Sequence, residues 1–239
     1  SYSVTGVQTC ALPISIPGCN VYQPRGGTVA VQHEVSRRRR PEWARALVDL
    51  TWPLRPKRLA AARMERDVVA GPAWCLGVSE MVSREFQDYY GRTQRVRTVF
   101  NGVDVPEAQP DYRALWRRQL RAALEVPDDA PLFMTAAQNL DLKGGQWLLR
   151  AFIRREGRCR NSGAHLLVLG AQEGDDRWQR LIGGHGMADR IHLRPPTRDI
   201  FDYDSAADAL VLLSWYDACS RVVLEAVRWG LPCVTTEFN

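Results

Sequence analysis

Apolar stripes and short apolar runs alternate along most of the chain and divide it into elements. Between residues 41 and 70, Trp43, Leu47, Leu50, Leu54, Leu59 and Ala62 recur at helical spacing, and Pro53 and Pro56 break or kink the run. Residues 20–23 predict a short strand ahead of a Gly26-Gly27 turn. Residues 74–78 predict a buried strand, and Ser79 is placed to cap a helix that runs through Phe86 toward Tyr90 and stops at Gly91. Residues 95–100 alternate as a strand. Asn101-Gly102-Val103-Asp104 has the composition of a turn.

The pattern is more regular after a linker candidate at residues 106–110. Helices are predicted at 112–124, 145–155, 176–182, 199–206 and 221–229, and strands at 131–137, 165–170, 190–193, 209–214 and 232–235. Apolar strands between amphipathic helices predict an α/β fold, a parallel sheet covered on both faces. Ligands of such sheets bind beyond the carboxyl ends of the strands, so the loops after Ala137, Gly170, Leu193 and Ser214 are where function is expected.

Composition narrows the classes. The chain has 239 residues, 45% apolar and 25% charged, which is ordinary for a globular protein and argues against wholesale disorder. Its longest apolar stretches, such as residues 209–213, are far too short to span a bilayer. Six scattered cysteines with no CxxC pair predict neither a zinc site nor a disulfide framework, and they fit a reducing cytoplasm. Residues 15–105 carry 15 Lys/Arg against 9 Asp/Glu, whereas residues 106–239 carry 17 against 18. The run Arg37-Arg38-Arg39-Arg40 is either a solvated helix face or an attraction for an anionic partner, such as a membrane surface or phosphorylated lipid. No signature of nucleic-acid binding accompanies it.

Both ends carry expectations of their own. Residues 1–14 read like a translated sequencing adapter and are expected to be an artefact. The chain stops at Asn239 directly after an apolar run, which predicts truncation there as well. The expected organisation is therefore 1–14 artefact, 15–105 a partial N-terminal acceptor-side domain, and 106–239 a C-terminal donor-binding domain.

The segment with the most chemistry is Trp215-Tyr216-Asp217-Ala218-Cys219-Ser220-Arg221-Val222-Val223-Leu224-Glu225, followed by Gly230-Leu231-Pro232. Free amides around Ala218 to Val222 at a helix start form a positive pole suited to a diphosphate. Glu225, inside the helix, is placed to accept hydrogen bonds from ribose hydroxyls, and Asp217, outside it, to face the group beyond the phosphates. Two acids at this spacing also occur for purely structural reasons.

This stretch resembles the signature of family-4 retaining glycosyltransferases of GT-B fold, which have two Rossmann-like domains. Here both would be incomplete. Val78-Ser79-Glu80, Tyr90-Gly91 and residues 99–104 are similar to that family's domain junction, and residues 136–139 with Lys143-Gly144 to its donor-phosphate loop. Residues 167–170 and 189–193 are similar to its intervening strands, and residues 17–22 to its lipopolysaccharide-core branch. The resemblance implies that Asp217 contacts the donor sugar, where the family usually has glutamate, and that Glu225 binds ribose. It implies that Lys143 neutralises the diphosphate, while Gln138 stands where many members have arginine. Asn139 belongs to the same loop, and Arg194 and Pro195 fall where the base would lie.

The expected activity is sugar transfer from a nucleotide diphosphate sugar to an acceptor hydroxyl with retention, in cell-surface glycan or lipopolysaccharide synthesis, with Lys143 and Asp217 at the reacting centre and no metal or other cofactor. The expected acceptor is a glycan or glycolipid, which the basic half allows to be phosphorylated. The expected location is the cytoplasm, with peripheral contact at the inner face of the membrane. A nucleotide-sugar epimerase of the same fold and a non-catalytic nucleotide-sugar-binding module remain open. Gly26-Gly27, His33, Asp104, Trp215 and Tyr216 are weaker site candidates, each with an ordinary turn, surface or packing role as its alternative.

Overall fold

The computed structural model describes residues 19–104, 107, 110–158, 163–171 and 176–239. The expectations for residues 1–14, for Pro17-Gly18 and for most of the 106–110 linker lie outside these. Two compact units emerge, one of Ser1–Gly102 with Tyr216–Cys219 and one of Val103–Trp215 with Ser220–Asn239.

The first unit holds a parallel sheet of β1 (Val21–Tyr22), β2 (Trp74–Gly77) and β3 (Val96–Thr98), in the order β1-β2-β3. Around it run α1 (Val29–Arg38), α2 (Glu42–Thr51), α3 (Pro56–Ala70) and α4 (Glu80–Tyr90). The prolines act as expected: Trp52–Leu54 is a single 3-10 turn and Pro56 opens α3, a position where its missing N–H costs nothing. Ser79 caps α4 by accepting from the Val82 amide at 3.3 Å, and Gly91 ends it with φ +66°. Residues 101–104, expected as a turn, run on as irregular loop.

Helix α1 is absent from the sequence-based scheme. Thr28 caps it, accepting from Val31, and its Val29, Val31 and Val35 are buried. Two buried carboxylates meet its first turn: Glu65 accepts from the Val29 amide at 2.7 Å and Glu85 from the Thr28 amide and hydroxyl, both at 2.9 Å. Anions at a helix start complete its orphan amides and oppose its dipole. Burial nevertheless pushes both carboxyls above their ordinary range, against the hydrogen bonds that hold them.

The second unit holds five parallel strands, β4 (Leu132–Ala136), β5 (His165–Leu169), β6 (Ile191–Arg194), β7 (Ala209–Leu212) and β8 (Cys233–Thr235), in the order β6-β5-β4-β7-β8. The chain order reverses between β4 and β7, a topological switch point of the kind that forms binding crevices. Helices α5 (Pro110–Ala123), α6 (Gly145–Arg158), α7 (Asp176–Gly183), α8 (Ile200–Ala206) and α9 (Arg221–Trp229) cover the sheet. Strand alternation separates two core layers: Leu167 and Leu169 pack with Leu132, Met134 and Leu210, while Leu166 and Val168 pack with Leu149, Phe152 and Trp178. Every strand and helix predicted beyond residue 110 is present, with ends shifted by a few residues.

Candidate functional site

In the second unit, a cavity of about 610 Å³ opens beyond the carboxyl ends of β4, β5 and β6 and against the first turns of α9. That volume falls within the usual range for small-molecule sites. Its wall is made by Ala136–Gln138 after β4, Leu169–Gly170 at the end of β5, Pro196–Arg198 after β6, and Arg221, Val222 and Glu225 on α9, with Asp104, Ile200 and Phe201 closing it.

Backbone geometry lets these loops meet. Gly170 has φ +100°, and a Cβ there would overlap the Ala137 carbonyl, so only glycine allows the β4 and β5 loops to approach this closely. The Gly170 amide donates to the Arg194 carbonyl at 2.9 Å, which ties the β6 exit to the same corner. Gly144 has φ +69° and presses against the Leu213 carbonyl. Beside it the Trp215 amide donates to the Leu142 carbonyl at 3.0 Å. The loop that carries Lys143 is therefore zipped to the chain leaving β7, two residues before Asp217.

Helix α9 begins with no side-chain cap: Ser220 precedes it, buried, without a capping bond. Its first amides remain available to a ligand. Arg221 Nη2 stands 3.2 Å from Glu225 Oε1. Glu225 faces the cavity rather than the apolar layer, which on this helix is formed by Ala226 with Val222 and Val223.

Asp204 on α8 is 1% exposed, with neither carboxylate oxygen hydrogen-bonded among the described residues. Burial pushes its pKa up to about 7; the charge of Glu225 adds to this and that of Arg113 opposes it. Among the described residues no group of three or more His, Cys, Asp or Glu could hold a metal ion.

Of the predicted residues, Gln138, Arg221, Val222 and Glu225 line the cavity, and Asp104 joins them. Lys143 and Asn139 lie on the loop tied to Trp215, where Asn139 Oδ1 accepts from the Leu142 amide at 3.0 Å. Arg194 and Pro195 come just before the wall-forming Pro196–Arg198. Asp217, Ala218 and Cys219 cluster with the first unit. In that unit the Tyr216 hydroxyl donates to Glu85 at 2.5 Å and Asn101 Nδ2 to the Cys219 carbonyl at 3.3 Å. Gly27, with φ +77°, faces the Tyr216 hydroxyl, which would overlap any Cβ there. The glycine therefore serves a packing contact. His33 is also structural: its ring packs at a tilt against Trp52 with centroids 4.0 Å apart, and it reaches Asp49 at 3.4 Å.

Sequence reasoning missed Thr197 and Arg198, although the loop after Leu193 was expected to carry function. The two prolines ahead of Thr197 were the signal for them.

Residues 131–239 match the family described as "Glycosyl transferases group 1". A "Lipopolysaccharide core biosynthesis glycosyltransferase LpsE" from Rhizobium meliloti is 29% identical over 48% of this chain and 32% of its own length. A "D-inositol 3-phosphate glycosyltransferase" from Paenarthrobacter aurescens is 27% identical over 76% of this chain and 45% of its own. The chain thus spans a third to under half of these curated relatives. Among solved structures, WaaG, "a glycosyltransferase involved in lipopolysaccharide biosynthesis", superposes with TM-score 0.74 at 19% identity over 94% of this chain and 58% of that one. HepE of Anabaena, solved with UDP-glucose, gives 0.65 at 17% identity over 91% and 53%. These likenesses identify the architecture as part of the GT-B fold, as the sequence implied.

Proposed function

We propose that this chain, whose residues 131–239 match the group 1 glycosyltransferase family, comes from an enzyme that transfers a sugar from a nucleotide diphosphate sugar to an acceptor hydroxyl with retention at the anomeric carbon. The observation that carries this reading is the cavity at the strand ends, where Glu225, Arg221 and Arg198 surround the uncapped start of α9.

Departure of the diphosphate builds negative charge on its oxygens and positive charge on the sugar ring. In the proposed scheme the α9 amides, Arg221 and Lys143 stabilise the leaving oxygens, a preorganised electrostatic contribution that needs no metal ion. Glu225 accepts hydrogen bonds from the ribose hydroxyls. Gln138 and Asn139 bind phosphate oxygens as neutral partners, so the cations bear the charge. Asp217 orients the transferred sugar, and Arg194, Pro195 and the wall that follows them hold the base. A leaving-phosphate oxygen takes the proton of the acceptor hydroxyl.

The proposed acceptor is a glycan or glycolipid: the lipopolysaccharide-core relative supports that class, and the basic first unit supports a phosphorylated one. The scattered cysteines, with no disulfide framework, support a cytoplasmic location for the reaction. The test is incubation with a panel of nucleotide sugars and core-oligosaccharide acceptors, with NMR of the product. An α-linked product from an α-linked donor is expected. An inverted linkage would overturn the retaining scheme, and donor binding without any transfer would leave a binding module.

A further inference from the structure

We infer, on the transferase reading in which Asp217 meets the transferred sugar, that Glu85 is a positioning residue: through the Tyr216 hydroxyl it fixes the short segment that presents Asp217. One carboxylate on α4 serves two distant loops. Its Oε1 accepts from the Tyr216 hydroxyl at 2.5 Å, and its Oε2 accepts from the Thr28 amide and hydroxyl, both at 2.9 Å. Glu85, Tyr216 and Thr28 are all buried. Gly27 leaves no room for a Cβ beside that hydroxyl, so the tyrosine ring is also held against the backbone of the loop after β1.

Asp217 lies between two fixed ends. Tyr216 begins the segment Tyr216–Cys219 that packs with the first unit, and Cys219 ends it, its carbonyl accepting from Asn101 Nδ2 at 3.3 Å. Tyr216 and Ala218 are buried, whereas Asp217 between them is half-buried. The Tyr216 side chain is therefore the inward anchor, and that of Asp217 stays accessible. An aspartate side chain is short, so its carboxylate goes where the backbone is held. Groups that must meet a ligand within a fraction of an ångström need such support from neighbours locked by packing and hydrogen bonds.

The chemistry of the pair suits this task. Burial and the Glu85 carboxylate push the Tyr216 phenol above its ordinary range, so Tyr216 stays protonated and remains the donor. Thr28 holds the other carboxylate oxygen with two donors, and Thr28 is itself tied into the first turn of α1, where its hydroxyl accepts from the Val31 amide at 3.3 Å. The carboxylate cannot swing to follow the ring. Tyr216 thus docks on a fixed post, and loss of its hydroxyl frees one end of the segment while Asn101 still holds the other.

The test is calorimetry with UDP-, GDP- and ADP-glucose and with each parent nucleoside diphosphate, read as the ratio of the two dissociation constants. Displacing Asp217 changes the affinity for the sugar-bearing ligand and spares the diphosphate. Tyr216→Phe keeps the packed ring and is expected to weaken the nucleotide sugar roughly fivefold, with the nucleoside diphosphate unchanged. Glu85→Leu should shift the ratio equally, whatever it costs in stability; if it does not fold, Tyr216→Phe decides alone. Glu85→Gln should keep the wild-type ratio, because its carbonyl can accept from Thr28 while its amide donates to the Tyr216 oxygen. In an Asp217→Ala background, Tyr216→Phe should change neither constant, an outcome that a merely structural tyrosine would not give. A wild-type ratio in Tyr216→Phe or in folded Glu85→Leu, equal weakening of both ligands, or a full Tyr216→Phe effect without Asp217 would overturn the inference and leave the donor site standing. A folded chain that binds no nucleotide would overturn the donor reading and the inference with it.

Discussion

Arg221 is the first residue of α9, and its guanidinium reaches Glu225 one turn further along at 3.2 Å. A cation at the start of a helix meets the positive end of the dipole, and an arginine ahead of its glutamate is the weaker order for such a pair. The pair is uneven as well: the Arg221 side chain is 67% exposed and that of Glu225 16%. Free of ligand, Arg221 is electrostatically misplaced. An anion at the helix start reverses that balance.

Arg221→Ala is therefore expected to change folding stability and ligand affinity in opposite directions. The free chain should gain a few tenths of a kcal/mol. Calorimetry with a nucleoside diphosphate should show roughly tenfold weaker binding, while the corresponding nucleoside binds nearly unchanged. Equal losses for both ligands would remove Arg221 from the phosphate site.

Gly144 and Gly91 separate steric from conformational cost. Both adopt positive φ, but an added Cβ at Gly144 meets the Leu213 carbonyl while at Gly91 nothing lies within 4 Å. Gly91→Ala should cost about 1 kcal/mol by denaturant titration. Gly144→Ala should cost about 3 kcal/mol and weaken nucleotide binding, because it pries the Lys143 loop from β7. Equal costs would show that the close approach is not required.

Asp204 gives a pH dependence of definite sign. Its folded pKa of about 7 stands above the ordinary 3.8, so the folded state holds its proton more tightly than the unfolded chain. Its contribution to stability is undiminished below about pH 4 and is lost as pH rises through 7, by about 4 kcal/mol at most. Asp204→Asn should flatten that decline in urea titrations run from pH 5 to pH 8. A decline unchanged in the variant would assign it to another group.

His192 predicts the reverse trend. Its ring lies 3.0 Å from that of His165 at the amino ends of β5 and β6, away from the cavity. Burial, with His165 and Arg194 adding, lowers its pKa to about 4 from 6.5. Stability is whole above pH 6.5 and is lost as pH falls toward 4, by about 3 kcal/mol at most. His192→Gln should remove this acid sensitivity. Persistence of it in the variant would contradict the assignment.

The parallel sheet of the second unit was legible because its strands are short and wholly apolar and its helices carry a stripe. The period alone identified both. The place of the crevice beyond the strand ends followed from the same rule, whereas Gln138 was singled out only by the family resemblance and Glu225 by its position in the helix after β7. Helix α1 was not legible, since its valines are few, its first turn is completed by Glu65 and Glu85 from distant α3 and α4, and its arginines suggest surface. Arg198 escaped because a loop residue gains meaning only from the wall it joins. The period of Trp43, Leu47, Leu50 and Leu54 predicted a helix correctly, but a period does not say which way its face turns. All four are exposed, and it is Asp49 and Trp52 that contact His33 and Arg37 of α1.

The most direct test of the donor site is calorimetric titration of the intact chain with UDP-, GDP- and ADP-sugars, repeated for Lys143→Ala and Glu225→Gln. Saturable binding of at least one donor is expected, weakened roughly tenfold or more by either substitution, the worth of one charge-assisted contact. Wild-type affinity in both variants, or no binding of any nucleotide sugar by the folded chain, would contradict the account.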